Sequence, residues 1–198
     1  MSETRFREAV AAFDRANSLD PHHELVGGVE RPRELVQAER LSEWVERLAP
    51  DASEALRLAA RCQHLRRWEI PRDSYPAGRS GYLKWRARLA QFHAQASGEI
   101  LEKLGYDAAT IERVRSINLK QGLPADGEVQ VMEDALCLAF LEHELEAFAK
   151  KHDDATLSRI LRKTWAKMSP HGHELGLALP ISERPRRLLE AALARGAT

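Results

Sequence analysis

Arginines alternate with aromatic side chains in the stretch of residues 59 to 86, AARCQHLRRWEIPRDSYPAGRSGYLKWR. Two of the four tryptophans and two of the three tyrosines lie here. Guanidinium groups bind phosphates by charge-assisted hydrogen bonds, and aromatic faces stack on nucleobases. The stretch therefore predicts a pocket for a small anionic ligand, although any single arginine could instead form a surface ion pair. The predicted substrate-binding residues here are Gln63, Arg67, Trp68, Arg72, Tyr75, Arg79, Tyr82, Trp85 and Arg86.

Histidines and carboxylates in apolar surroundings predict a second kind of chemistry. Asp134 and Glu133 lie in VMEDALCL, and burying a carboxylate without a cation or donor costs several kcal/mol. Adjacent helical residues diverge by about 100°, so we expect Asp134 to point inward and Glu133 to hold an arginine or a histidine. His64, His93 and Asp134 would supply two nitrogens and one oxygen to a divalent transition metal, with His64, Asp134 and Glu133 as catalytic residues. Core or surface roles for His64 and His93 remain open.

A second polar and aromatic stretch, KTWAKMSPHGH, covers residues 163 to 173. Lys163 and Lys167 are four residues apart and share a helix face, so both join the predicted substrate-binding residues. We interpret His171 and His173 as solvated residues of a Pro/Gly loop. Lys120, beside Gln121, could reach a phosphate, but we favour the interpretation that it complements the C-terminal dipole of a helix.

Length and charge restrict the architecture and the partners. The 198 residues fit a single domain over 1–198, and the formal net charge of +0 argues against extended nucleic acid as a partner. No apolar run of about twenty residues is present, so neither a membrane span nor secretion is expected. Cys62 and Cys137 lie in apolar helical contexts, which favours buried thiols and a cytoplasmic location.

Hydrophobic periodicity predicts helices and no strands. No convincing period-two run is present, residues 19–31 read as a loop, and we predict an all-α fold, a compact bundle of seven to nine helices. The predicted helices cover about residues 3–18, 32–48, 51 or 53 to 62, 80–104, 108–119, 128–150, 153–168 and 182–194.

Several motifs together resemble the family called domain of unknown function 4202, over most of the chain. They are PREL from Pro32, AARCQH from Ala59, RWEIPR from Arg67, YP from Tyr75, GYLKWR from Gly81, ED from Glu133 with CL from Cys137, and KTWAKMS from Lys163. This resemblance implies membership of that family and no particular activity.

The order of the predicted helices is distantly similar to that of the HD-domain phosphohydrolases. That superfamily holds a divalent metal with a His, a His-Asp pair and a late Asp, and the metal activates water. Asp134 falls at the late Asp, Gln63-His64 stands where the His-Asp pair is expected, and Arg40 lies near the position of the first His. The resemblance therefore implies either a metal site rebuilt around His64, His93 and Asp134, or a metal-free pocket that includes Arg40.

Two functions follow from these observations. The first is an HD-like phosphohydrolase that acts on a small phosphorylated compound, with a nucleotide as the favoured candidate, through a rebuilt divalent-metal site. The second is a metal-free module that binds a nucleotide or an RNA end on a degenerate HD-like fold. Whether the chain is an enzyme is left open, as are the substrate, the identity of the metal and the oligomeric state. A purely structural helical scaffold would leave the arginines and aromatics of residues 59 to 86 without a role.

Overall fold

The computed structural model describes residues 3–194, with side chains described as far as residue 191. This part of the chain contains ten α-helices and one two-stranded sheet, so the predicted all-α fold is confirmed. None of the described helices has both the length and the apolar character that a membrane span requires. The chain divides into two compact units, one up to Val129 and the other from Gln130. The single domain over 1–198 stays a prediction.

Five helices build the first unit, and their ends carry recognisable signals. They are α1 (Glu3–Asn17), α2 (Arg33–Leu48), α3 (Glu54–Cys62), α4 (Gly78–Lys103) and α5 (Ala108–Asn118). Ser53 begins α3 by accepting a hydrogen bond from the Leu56 amide at 3.1 Å, and Asp107 begins α5 in the same way. After α4, Gly105 has a φ of 74°, the left-handed conformation that commonly ends a helix.

Packing in this unit is centred on α3, which contacts α1, α2 and α5, while α4 packs against α5 and α1. The apolar stripes predicted from periodicity point inward and exclude water from this core. Its largest fully buried side chains are Phe13, Trp44, Leu56, Leu58, Leu65, Leu101 and Ile117.

A β-hairpin precedes α2, where a loop over residues 19–31 was predicted, so that prediction was wrong. Strands β1 (His23–Val26) and β2 (Val29–Pro32) pair antiparallel, with Val26 opposite Val29. Gly27 and Gly28 both have positive φ, as the two-residue turns of hairpins require. Strands of four residues with half-exposed side chains carry too short an alternation to be recognised in a sequence.

The second unit contains the part of α6 (Gly127–Ala139) from Gln130, and four further helices. These are α7 (Leu145–Lys151), α8 (Asp154–Trp165), α9 (Pro170–Ala178) and α10 (Glu183–Ala194). Helix α10 packs against α8 and α7. The core of this unit includes Met132, Leu138, Leu145, Leu157 and Leu161.

Two features of the second unit differ from the prediction and raise the helix count to ten. The helix expected over 128–150 is interrupted by a π-helical segment, Phe140–Glu144. The loop expected at 169–173 is the start of α9, where Ser169 accepts a hydrogen bond from the Gly172 amide and Pro170 occupies the first turn. Serine followed by proline is a favourable helix start, and the glycines obscured it.

The two histidines of that segment are therefore helical residues. His171 is exposed, as predicted, whereas His173 is half-buried and stacks on Trp165 with a ring-centroid distance of 4.3 Å. The interpretation of His173 as a solvated loop residue was wrong.

Candidate functional site

The chain between α3 and α4 forms an ordered loop that begins at the predicted Gln63-His64 pair. Arg66 adopts a left-handed conformation with φ of 56°, and its amide donates a hydrogen bond to Asn17 Oδ1 at 3.0 Å. Two short 3₁₀ turns follow, Arg67–Glu69 and Arg72–Ser74. A non-glycine residue adopts the left-handed conformation at a cost, and this hydrogen bond offsets part of it.

Trp85 and Arg72 hold this loop in place. The indole nitrogen of Trp85, a buried residue on α4, donates to the Ile70 carbonyl at 2.8 Å. Arg72 donates to the carbonyls of Tyr75 at 2.9 Å and Pro76 at 3.0 Å. These contacts give both predicted substrate-binding residues a structural role in the loop.

Gly81 permits a close approach of the loop to α4. A Cβ atom at Gly81 would lie 1.9 Å from the carbonyl oxygen of Pro76. Because backbone atoms of a packed loop cannot move away cheaply, any larger residue at this position would displace the loop.

His64 and His93 lie next to one another in the first unit. Their ring centroids are 6.0 Å apart, and His93 is 3% exposed. His93 Nδ1 lies 2.8 Å from the Leu65 carbonyl oxygen, so Nδ1 carries the proton and Nε2 carries a lone pair. Burial lowers the pKa of His93 to about 4, although this hydrogen bond opposes the shift. His93 is therefore neutral at physiological pH.

His64 is also neutral, and cations contribute to this. Burial is the main cause that holds its pKa well below the usual value, and the positive charges of Arg67, Arg86 and Lys120 act in the same direction. Arg67 also lowers the pKa of His93. The charges that lower the pKa of His64 thus come from three separate elements.

These three cations are held by different parts of the fold. Arg67 belongs to the first 3₁₀ turn, with its guanidinium carbon 5.2 Å from the centroid of the Trp85 ring. Arg86 lies on α4 and donates to the Tyr82 hydroxyl at 3.2 Å. Lys120 follows α5 in a left-handed conformation with φ of 58°. Sequence reasoning favoured a helix-dipole role for Lys120 over a phosphate contact, and its effect on His64 was not predicted.

Three buried side chains of the first unit each have an acceptor atom without a protein donor. They are Gln63 Oε1, His93 Nε2 and Asn118 Oδ1. Asn118, at the end of α5, donates its amide hydrogen to Cys62 Sγ at 3.3 Å, which places α5 against the end of α3. Asn118 was not predicted, because nothing in the sequence indicates this long-range contact.

An open cleft of about 750 Å³ lies along the same loop. Tyr75 and Arg72 belong to its lining, and the cleft reaches the first residue of α4, Gly78. Ala77, the residue before α4, gives the helix no side-chain cap. The lining residues are Pro71, Arg72, Asp73, Tyr75, Ala77 and Gly78.

The remaining predicted ligand-binding residues of the first unit differ in their exposure and in their partners. Arg40 forms an ion pair of 2.6 Å with Glu24 of the hairpin. Trp68 is half-buried in the first 3₁₀ turn, whereas Arg79 and Tyr82 are exposed on the first turns of α4. Of these, Tyr82 directly contacts one of the three cations, Arg86.

Asp134 has a complete set of hydrogen-bond donors within the second unit. Its Oδ1 accepts from the Ser169 amide at 2.8 Å and from Gln130 Nε2 at 3.0 Å, and its Oδ2 accepts from the Ser169 hydroxyl at 2.5 Å. The carboxylate is 2% exposed, and a Cβ at Gly172 would come within 2.8 Å of its carboxyl carbon. Asp134 thus holds the start of α9, a role that was not predicted.

Glu133 has a cation partner in the same unit. One of its carboxylate oxygens lies 3.3 Å from Lys167 Nζ, and Glu133 is buried whereas Lys167 is exposed. A lysine therefore meets the need of this carboxylate for a cation, where an arginine or histidine was expected. Lys163 is exposed on α8.

The predicted metal ligands are distributed over both units. His64 and His93 are brought together in the first unit, and Asp134 belongs to the second. Among residues 3–191, no three or more His, Cys, Asp or Glu side chains form a group that could hold a metal ion. The metal ligands His64, His93 and Asp134 stay a prediction.

Comparison with known proteins identifies the family of the chain. A family model described as Domain of unknown function (DUF4202) matches residues 7–189. No curated protein and no solved structure gives a significant match, so the resemblance to HD-domain phosphohydrolases stays a prediction. Because the matched segment covers most of its length, the chain belongs to the DUF4202 family.

Proposed function

We propose that the chain binds a small phosphorylated compound, such as a nucleotide, at His64 without a metal ion. The observation that carries this proposal is that Arg67, Arg86 and Lys120 all act on one neutral imidazole. The positive potential that disfavours an imidazolium at His64 stabilises an anion beside it.

The chemistry of the cations favours phosphate among anions. Arg67 and Arg86 present planar guanidinium groups, which match the oxygens of a phosphate bidentately, and Lys120 adds a compact charge. The neutral imidazole of His64 retains one donor and one acceptor for the same ligand.

A nearby aromatic ring supports a nucleotide as the phosphorylated compound. Tyr82 is 41% exposed, and its hydroxyl accepts a hydrogen bond from Arg86. An exposed ring face beside a phosphate-binding cation is suited to stacking a base.

Charge also favours binding without a metal. The positive charges of Arg67, Arg86 and Lys120 disfavour protonation of His64. The same charges would repel a divalent cation bound next to His64. The oxygens of Asp134, the predicted third ligand, accept hydrogen bonds from Ser169 and Gln130.

A metal-dependent phosphohydrolase is the second candidate, and one observation favours it. His93 Nε2 is an unprotonated, unpaired nitrogen on a ring 6.0 Å from that of His64. Neutral imidazole nitrogens are common metal ligands, so the pair would supply two of the ligands that a catalytic divalent metal requires.

We also propose a cytoplasmic location. Cys62 and Cys137 are free and buried, and burial raises the pKa of the Cys62 thiol to about 12. A reducing compartment keeps such thiols unpaired.

Calorimetric titration of AMP into the purified protein tests the proposed function. We expect saturable binding that chelator treatment leaves unchanged and that Arg86→Gln weakens about tenfold, the effect of one charge-assisted contact. Arg88→Gln is the matched control, since Arg88 is an exposed arginine on the same helix and should bind AMP as the wild type does.

Two results would overturn this function. One is the absence of AMP and inorganic phosphate binding; the other is equal loss of affinity in Arg86→Gln and Arg88→Gln. Stoichiometric metal by elemental analysis, together with phosphatase turnover lost in His93→Gln, would establish the second candidate instead.

A further inference from the structure

Three buried acceptors in the first unit, which also contains the His64 site, have no protein donor. Gln63, His93 and Asn118 are 8%, 3% and 3% exposed, and each has one acceptor atom that no protein donor reaches. They come from the ends of α3 and α5 and from the middle of α4. A buried acceptor without a donor destabilises the fold, so three in one unit require an explanation.

The hydrogen bonds of these side chains fix which kind of atom they offer. His93 donates from Nδ1 to the Leu65 carbonyl, which leaves the Nε2 lone pair. Asn118 donates its amide hydrogen to Cys62 Sγ, which leaves Oδ1 as an acceptor. Together with Gln63 Oε1, these side chains therefore offer acceptors that need O–H or N–H donors from a ligand.

A phosphate group alone does not meet this need. A phosphate dianion brings acceptor oxygens, which pair with Arg67, Arg86 and Lys120 but repel the lone pairs of other acceptors. The ligand must therefore have two parts, an anionic group for the cations and donor groups for the buried acceptors.

We propose that the ligand is a sugar phosphate, free or as part of a nucleotide, whose hydroxyl groups donate to Gln63 and His93. This inference rests on the proposed function, because the phosphate of the ligand occupies the His64 site. It adds a ligand specificity to that function, because phosphorylated compounds without hydroxyl or amino donors should bind weakly. His64 follows Gln63 directly and lies beside His93, so the two parts of such a ligand need to be only a few bonds apart.

Comparing the binding of ribose 5-phosphate and of methyl phosphate to the full chain at pH 8 separates the contribution of the phosphate group from that of the hydroxyl groups. Methyl phosphate then carries the charge and no donor. We expect ribose 5-phosphate to bind at least tenfold more tightly, and Gln63→Met to reduce this ratio to about threefold while affinity for methyl phosphate changes less than twofold. Gln91→Met, an exposed glutamine of α4, is the control and should keep the wild-type ratio. AMP, measured alongside, distinguishes a nucleotide from a free sugar phosphate by its additional affinity.

A second measurement needs no variant and covers the case in which Gln63→Met does not fold. The ¹⁵N resonance of His93 Nε2 should move upfield with ribose 5-phosphate and stay in place with methyl phosphate, because an unprotonated imidazole nitrogen then accepts a hydrogen bond. Equal binding of the two phosphates, or an unmoved His93 resonance, would overturn the ligand specificity and leave the proposed function intact. Binding of neither phosphate would overturn the proposed function itself.

Discussion

The surroundings of Asp134 and of His64 differ in how completely their polar groups are paired. Asp134 accepts three hydrogen bonds, all from Ser169 and Gln130 in its own unit. His64 lies among three cations, and its neighbours Gln63 and His93 keep acceptors without protein donors. Sequence reasoning placed both residues in one metal site because both are polar in an apolar context.

This difference separates a structural role from a binding role. A buried polar group with all its partners contributes to stability, and its removal should unfold the protein without a specific effect on a ligand. A buried polar group without partners contributes least to the isolated fold and most to a complex. We therefore assign to Asp134 the role of holding the start of α9, and we propose the His64 site as the place where a ligand binds.

The largest expected effect is the loss of stability in Asp134→Ala. The variant leaves the Ser169 amide and hydroxyl and the Gln130 amide without their acceptor, so we expect the free energy of unfolding to fall by about 3 kcal/mol. Urea denaturation followed by circular dichroism measures it. Glu174→Ala, at an exposed position of α9, should change it by less than about 0.5 kcal/mol. A stable Asp134→Ala protein that has lost AMP binding would reverse the assignment of roles.

Stability should next depend on the protonation of the buried His93. Burial lowers the pKa of His93 from 6.5 to about 4. Between these pH values His93 binds a proton in the unfolded chain but not in the folded chain. Stability is therefore full above pH 6.5 and is lost as pH falls toward 4, by about 2 kcal/mol from His93 alone at pH 5. Urea denaturation at pH 7.5, 6 and 5 measures the slope.

Variants identify the source of this slope. His93→Gln keeps a donor for the Leu65 carbonyl and should flatten the pH dependence, whereas His171→Gln, at an exposed site, should keep it. An unchanged slope in His93→Gln would show that His93 is protonated normally.

A smaller effect should separate binding from stability at Lys120. Lys120 has a left-handed conformation with φ of 58°, which glycine adopts at lower cost, so Lys120→Gly stabilises the fold in this respect. The variant also removes a positive charge from the C-terminal end of α5, which destabilises the helix. We expect the free energy of unfolding to stay within about 0.5 kcal/mol of wild type and AMP affinity to fall about fivefold. Calorimetry on the same sample measures both, and unchanged affinity would remove Lys120 from the site.

Much of the fold followed from periodicity, and its failures have local causes. Helices α1 to α5 were predicted within a few residues because their apolar stripes are long enough to define a period. The hairpin was missed because its strands have four residues each. Helix α9 was missed because Gly172 and Gly176 suggest a loop, although both are buried in helix packing.

The sequence indicated some of the residues that surround His64. Arg67 and Arg86 were predicted as ligand contacts because they lie among aromatic residues, and both act on the pKa of His64, while their contact with a ligand stays a prediction. The effect of Lys120 and the position of Asn118 depend on α5 packing against α3, and the Ser169 partner of Asp134 lies 35 residues away along the chain. Residue types indicate which groups need partners, but only the fold shows which of them have partners already.

Histidine NMR tests the central claim most directly. The chain has eight histidines, and their Cε1–H resonances can be followed one by one as AMP is added at pH 7. We expect the resonances of His64 and His93 to shift with saturation, and those of the exposed His171 and the stacked His173 to stay in place. Resonances of His64 and His93 that do not respond to AMP, while others do, would contradict a phosphate-binding site at His64.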